Sequence, residues 1–266
     1  MSRIKKTFTA LKTNQQKAFI PFITAGDSGL DNSFALMQTL VVNGADVIEL
    51  GVPFSDPMAD GPVIAKSHER AVADGVSLQD VLDLVAKFRQ TNTTTAIVLM
   101  GYLNPIEVFG YQAFARKASE SGVDGVLVVD MPPEEAHDLK QELDQNDIDF
   151  IFLVAPTTTD KRLKSLAKIA SGFVYFVSLK GVTGAGHLDV DSVNINLSRI
   201  RQFIDLPVGV GFGIKDAATA KAVGKSADAV IVGSSLVAFV DKYSENTDKM
   251  LESVGKLASE ISGAIK

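Results

Sequence analysis

Eight times along the chain, a short apolar run rich in β-branched residues gives way to a longer segment of helical periodicity. The runs fall at 18–24, 46–50, 96–102, 125–130, 149–155, 173–178, 207–211 and 229–233. The helical segments fall at 32–42, 63–73 with 78–89, 112–120, 134–145, 161–170, 193–203, 217–223 and 248–265. Eight such units in 266 residues match a (β/α)8 barrel, which takes about 250. An open doubly wound sheet is the competing arrangement, and it normally shows a GxGxxG turn after its first strand. Here the first run ends in Ile23-Thr24-Ala25-Gly26-Asp27. No linker, low-complexity tract or charge run divides the sequence, so residues 1–266 are expected to form a single TIM-barrel domain. Ile4, Phe8 and Leu11 fall at i, i+4 and i+7, which predicts an extra N-terminal helix capping the barrel.

A barrel fixes where chemistry sits: at the C-terminal ends of its strands. The unusual residues of this sequence gather there. Glu49 ends the second run, Tyr102 and Asn104 follow the third, Asp130 ends the fourth and Tyr175 lies on the sixth. Glycine-rich turns follow the sixth, seventh and eighth, as GVTG, GFG and GSS.

Composition narrows the function. The net charge is −6 and the pI about 5.1, which argues against a general nucleic-acid or anionic-membrane role, since both need a basic face. The absence of cysteine excludes disulfides, thiolate metal sites and a cysteine nucleophile, and fits a reducing compartment. The N-terminal stretch has basic residues but no apolar core of a signal peptide, and no apolar run approaches the ~20 residues needed to span a bilayer. A cytoplasmic protein is expected.

The stretch 48-IELGVPFSDPMADGP-62 carries the sharpest signal. A buried strand rarely holds a glutamate. Placed at the barrel mouth in a low dielectric, the Glu49 carboxyl is expected to titrate closer to neutrality and to serve as both proton donor and acceptor. The structural alternative is a glutamate paired with a buried Lys or Arg. Asp60 lies beyond it in a loop stiffened by Pro53, Pro57 and Pro62. That places it over the mouth, or as the cap of a helix starting near Val63. Asp56, in Ser55-Asp56-Pro57, is the exposed-turn candidate.

The turns after strands seven and eight, VGVGFGIKD and VIVGSS, put glycine just before a helix. Glycine admits close backbone approach, and a helix start offers free N–H groups and partial positive charge. These two loops form the usual phosphate site of such barrels. A phosphorylated ligand is the better reading over plain turn chemistry. The loop 180–186, KGVTGAG, is a candidate lid, with Thr183 able to bond within the site. Phe22, Met100, Leu127, Leu153, Tyr175 and Phe212 all lie on or just after strands. Core packing accounts for each one singly; Phe22 and Phe212 together suggest an apolar slot above the phosphate. The three histidines, His68, His137 and His187, have no partner at metal-ligand spacing and read as surface or structural. Asp27, Glu49, Asp56, Asp60 and Asp130 match no metal motif, and no metal is expected.

The stretch 48–61, with PFITAGD at 21–27, GYLNPI at 101–106, GVDGVLVVDMPPEE at 122–135, GFVYFVSLKGVTGAG at 172–186, PVGVGFGI at 207–214 and VIVGSS at 230–235, resembles the tryptophan synthase alpha subunit family over nearly the whole chain. The resemblance implies a lyase that cleaves indole-3-glycerol phosphate to indole and glyceraldehyde 3-phosphate by a retro-aldol step. It implies Glu49 as acid/base and Asp60 as the group that bonds the indole N–H, with Tyr175 as a site tyrosine. It implies Phe22, Met100, Leu127 and Phe212 as the indole pocket. Gly184, Gly213, Gly233 and Ser234 are the implied phosphate site, and Thr183 the lid residue. Tyr102 and Gly211 complete the substrate-binding set at the strand ends.

It further implies a beta subunit as partner in an α2β2 heterotetramer, with Asp56, Pro57 and Asn104 in the contact region. Pyridoxal phosphate belongs to that partner, and this chain is expected to carry no cofactor of its own. The sequence departs from some relatives at Leu179-Lys180, at Gly186, and at Met100 where a leucine is expected. Two competing functions are a Schiff-base aldolase using Lys180, and a catalytically weak phosphate-binding activator of a beta subunit.

Overall fold

The computed structural model describes residues 2–178, 189–211 and 213–266. Eight parallel strands close on themselves: β1 (Ala18–Thr24), β2 (Val47–Gly51), β3 (Ala96–Gly101), β4 (Gly125–Val128), β5 (Asp149–Val154), β6 (Val174–Val177), β7 (Val208–Gly211) and β8 (Ala229–Val232). β1 pairs with both β2 and β8, so no edge remains. The helices among the described residues are α1 (Arg3–Thr13), α2 (Leu30–Val42), α3 (Pro62–Ala73), α4 (Leu78–Arg89), α5 (Leu103–Phe109), α6 (Tyr111–Ser121), α7 (His137–Gln145), α8 (Asp160–Ile169), α9 (Val190–Ile200), α10 (Ala217–Gly224), α11 (Ser234–Lys242) and α12 (Thr247–Ile265).

The two-residue period of each strand divides the core in two. Ile20, Val47, Val98, Leu127, Ile151, Tyr175 and Ile231 fill the barrel interior. Phe19, Ile48, Leu50, Ile97, Leu99, Val126 and Phe150 face outward under the helices. Glu49 lies between Ile48 and Leu50 and therefore points inward. Its Cα pairs with Phe22 on one side and Val98 on the other.

α1 seals the N-terminal end. Ser2 caps it, its Oγ accepting Lys5 N–H while donating to Asp149 Oδ2 at 2.7 Å. Ile4, Phe8 and Leu11 are buried on its inner face, and the Phe8 ring meets Phe173 at 5.7 Å. Gly125 makes room for it, since a Cβ there would stand 2.9 Å from Ile4 Cδ1. With one end closed, the C-terminal end is the open mouth.

Three boundaries differ from expectation. α5 was not anticipated: seven residues with Ile106 as the one buried side chain carry too little periodicity to read. Pro105 sits in its first turn, where a missing N–H costs nothing. α11 likewise lay outside the expected helical segments, although the glycine before it was read as a helix start. α7 begins at His137 rather than 134, because Pro132 and Pro133 hold a turn closed by Glu135 N–H donating to Pro132 O at 3.0 Å.

Candidate active site

Glu49 is 1% exposed, and neither of its carboxylate oxygens has a hydrogen-bond partner among the described residues. The buried Lys or Arg that would make it structural is therefore absent from those residues. Burial, with a smaller contribution from the Asp60 charge, pushes the carboxyl up to about 8. A group with that affinity holds its proton at neutrality and releases it with little cost.

Asp60 is held from the side by Tyr102. The Tyr102 hydroxyl donates to Asp60 Oδ2 at 2.8 Å and accepts Ala59 N–H at 3.0 Å. Burial raises the Asp60 carboxyl and the Tyr102 bond pulls it back. Asp60 is not the cap of α3: Gly61 is the N-cap residue and Pro62 opens the helix. The aspartate side chain is thus left to the mouth.

Tyr175 is on β6, facing inward, with its phenol raised well above the ordinary value by burial and then by the charges of Glu49 and Asp60. The three residues thus feel one another in one water-poor space. A cavity of about 590 Å³ opens beside them, with Asp60, Met100, Leu153, Tyr175 and Val177 in its wall. Leu127 pairs in register with Met100 and is fully buried beneath it. The Phe22 ring lies over Gly51, where a Cβ would come within 2.6 Å of its Cζ.

On the side of strands seven and eight, Gly211 ends β7, and Gly213 adopts φ +75°, a left-handed conformation that favours glycine. Gly233 is the N-cap of α11, and Ser234 its first residue. Among the described residues no side chain caps this helix, which leaves its first N–H groups without a side-chain acceptor. Ser235 Oγ donates to Ile214 O at 3.3 Å and ties the two loops together. Lys180, Thr183, Gly184 and Phe212 lie outside the described residues, as do Leu179 and Gly186.

Asp56 and Asn104 are exposed, and Pro57 lies beside Asp56 in the same loop. Met58 and Val108 stand 84% and 83% exposed on the same loop and on α5. Tyr102, through Ala59, joins that loop to the start of α5. Asp130 lies just beyond β4, where its Oδ1 accepts Leu103 N–H at 2.8 Å and steadies the same helix start.

Two residues make contacts that the sequence did not show. His68, read as surface or structural, is 2% exposed and lies against Asp60. The spacing of Ser67, His68 and Ala71 on one face of α3 was the signal that marked it as inward. Asp27, one of the acids that matched no metal motif, is engaged by Arg70, whose Nε and Nη2 donate at 2.7 and 3.0 Å. Among the described residues no group of three or more His, Cys, Asp or Glu is placed to hold a metal ion.

Glu49, the Asp60 held by Tyr102 and the glycine start of α11 gather at one end of the barrel, and comparison with known proteins decides the family. The family profile described as Tryptophan synthase alpha chain matches residues 8–266.

This chain belongs to the tryptophan synthase alpha chain family.

The alpha chain of Ruthia magnifica subsp. Calyptogena magnifica is 74% identical over 266 residues, covering all of both chains. That of Neisseria meningitidis serogroup B is 53% identical over the same length. Among solved structures, tryptophan synthase subunit alpha from Legionella pneumophila str. Paris has a TM-score of 0.93 at 42% identity, covering 100% of this chain and 98% of that one. The tryptophan synthase complex from Pyrococcus furiosus matches with a TM-score of 0.83 at 35% identity, covering 93% and 98%. The family's reaction is cleavage of indole-3-glycerol phosphate, so this alpha chain is a carbon–carbon lyase of tryptophan biosynthesis. As an alpha chain it is a partner of the beta subunit, and the pyridoxal phosphate of the synthase belongs to that subunit.

Proposed function

We propose that Glu49 performs both proton transfers of the retro-aldol cleavage. Its neutral carboxyl donates a proton to indole C3, which makes the ring an iminium-like cation. The resulting carboxylate then takes the proton from the hydroxyl on the adjacent glycerol carbon. The C–C bond breaks, its electrons return to the indole ring, and the oxygen becomes the aldehyde of glyceraldehyde 3-phosphate. One proton enters and one leaves, so Glu49 ends as it began. The observation that carries this reading is a fully buried carboxyl without a hydrogen-bond partner among the described residues, poised at about 8.

Asp60 is the anion that faces the indole N–H and stabilises the positive charge as it develops. Met100 and Phe22 line the apolar side of the indole, with Leu127 backing Met100, and Tyr175 closes the space beside Glu49. Gly211, Gly213, Gly233 and Ser234 receive the phosphate at the start of α11. Tyr102 serves by restraining Asp60. Thr183, Gly184 and Phe212 are assigned to the lid, the phosphate site and the indole pocket on the resemblance of their motifs.

Asp56, Pro57 and Asn104 belong to the face that docks on a beta subunit, to which indole passes directly, in an α2β2 assembly. The exposed Met58 and Val108 on the same two segments support that reading. Residues 1–266 act as one domain in the cytoplasm. The continuous run of units supports the first statement. For the second, no helix among the described residues is long and apolar enough to cross a membrane.

The test is to incubate the purified chain with indole-3-glycerol phosphate and quantify indole and glyceraldehyde 3-phosphate, with and without a tryptophan synthase beta subunit. Equimolar products, released faster with the beta subunit, are expected. Trapping of a covalent adduct by borohydride would instead indicate imine chemistry, which this mechanism does not contain.

A further inference from the structure

α3 presents to Asp60 a histidine that the mechanism above leaves unused. His68 Nδ1 accepts Phe54 N–H at 3.1 Å. A backbone amide only donates, so Nδ1 is the bare nitrogen and the ring proton sits on Nε2. Nε2 stands 3.7 Å from Asp60 Oδ2, too far for a hydrogen bond but close enough for a directed contact between charge and dipole. Burial pushes the imidazole down to about 4, so the ring meets the carboxylate as a neutral N–H.

The same Oδ2 accepts the Tyr102 hydroxyl at 2.8 Å. The Tyr102 ring in turn meets His68 edge-on at 6.4 Å and stacks on Phe54 at 4.9 Å. One hydrogen-bond donor, from the end of β3, and one imidazole N–H at longer range, from α3, therefore face one oxygen of a loop carboxylate. Among the described residues no hydrogen bond engages Oδ1.

We infer that His68 is a positioning residue for Asp60. Nδ1 holds the loop that follows β2, and Nε2–H faces Oδ2, so that Oδ1 is presented to the indole N–H. The inference rests on the role proposed above for Asp60. The two ring nitrogens do separable work, and amide side chains separate them. In His68→Asn the amide lies near the Nδ1 position: it keeps an acceptor for Phe54 N–H and falls short of Asp60. In His68→Gln the amide reaches the Nε2 position and restores a donor toward the carboxylate.

The experiment is steady-state cleavage of indole-3-glycerol phosphate by wild type, His68→Asn, His68→Gln and Asp60→Asn, in the complex with a beta subunit, with a thermal melt of each. His68→Asn is expected to lower kcat about tenfold with KM within about twofold, because Asp60 acts on transition-state charge. His68→Gln is expected to recover kcat to within about threefold of wild type, a rescue that a purely structural role would not give. Full kcat in His68→Asn, a loss confined to KM or to melting temperature, or a glutamine no better than asparagine would overturn the inference. Should the asparagine variant fail to fold, the glutamine variant decides alone: near wild-type kcat supports the inference and a tenfold loss overturns it. Wild-type turnover by Asp60→Asn would show that the role of Asp60 itself is wrong, and the inference would fall with it.

Discussion

Gly211 and Tyr175 share one space. A Cβ on Gly211 would lie 2.1 Å from the Tyr175 hydroxyl oxygen and 2.5 Å from its Cζ. The two residues are near neighbours across the β6–β7 ladder, where Tyr175 pairs with Gly209 and Val177 with Gly211. The absence of a side chain on the last residue of β7 is thus what lets a buried tyrosine stand inside the mouth.

Gly211→Ala is expected to force Tyr175 off its position. Displacing the buried ring from its contacts should cost about 1–3 kcal/mol of stability. Turnover should fall with it, and Gly211→Ala combined with Tyr175→Phe should recover part of the stability. Chemical denaturation of the single and double variants measures this; a single variant as stable as wild type would refute the steric claim.

Tyr102→Phe removes the donor to Asp60 and the acceptor of Ala59 N–H together. A hydrogen bond to a charged group is worth roughly 1.5–3 kcal/mol, so kcat/KM should drop about tenfold or more. The sign of the pH effect is also fixed. Tyr102 lowers the Asp60 carboxyl against the upward push of burial, so its loss raises Asp60. If Asp60 must be ionised, the acid limb of the kcat/KM profile moves to higher pH in the variant. An unmoved limb would separate Asp60 from that limb.

Glu49 should cost the fold stability as pH rises. Its carboxyl titrates at about 8 in the folded state against 4.5 for a solvated glutamate, so at intermediate pH the native protein holds a proton that the unfolded chain has lost. Unfolding then releases a proton, and stability falls across the window from about 4.5 to 8. Glu49→Gln abolishes that titration. Its gain in melting temperature over wild type should be larger at pH 8 than at pH 5. An equal difference at both values would mean that Glu49 is ionised in the native state.

Arg70 is the counterpart of Asp27 and also reaches Asp241 on α11 at 2.8 Å. It therefore links the loop after β1, the helix that carries His68, and α11, the helix that follows β8. Asp27 is 2% exposed, so Arg70→Ala would strand a buried charge, at a cost of about 3 kcal/mol. Adding Asp27→Asn should restore much of the loss, because it removes the stranded charge. Urea unfolding of the pair checks both statements, and a double variant no better than the single would argue that packing, not charge, sets the cost.

Strand identity was legible because each strand is a short, nearly continuous apolar run rich in β-branched residues, buried on both faces, and because eight units recur. The strand ends were less so. β4 stops at Val128 because Asp130 turns away to hold Leu103 N–H, a contact between residues distant in sequence. Glu49 stood out in the sequence because a strand rarely tolerates a glutamate, and Asp60 because prolines surround it. His68 was missed because its meaning lies in Phe54 N–H on one side and Asp60 on the other, two contacts that no spacing within α3 encodes. The resemblance supplied the roles; the structure showed that, among the described residues, no hydrogen-bond partner meets the Glu49 carboxyl.

The most direct test of the account is single-turnover indole release from indole-3-glycerol phosphate by wild type and Glu49→Gln, with ligand binding measured in parallel. The glutamine can neither donate nor accept the transferred proton, so binding should persist while the rate falls by about 10²–10⁴-fold or more. Wild-type release by a variant that binds normally would contradict the assignment of Glu49 as the proton-transfer group.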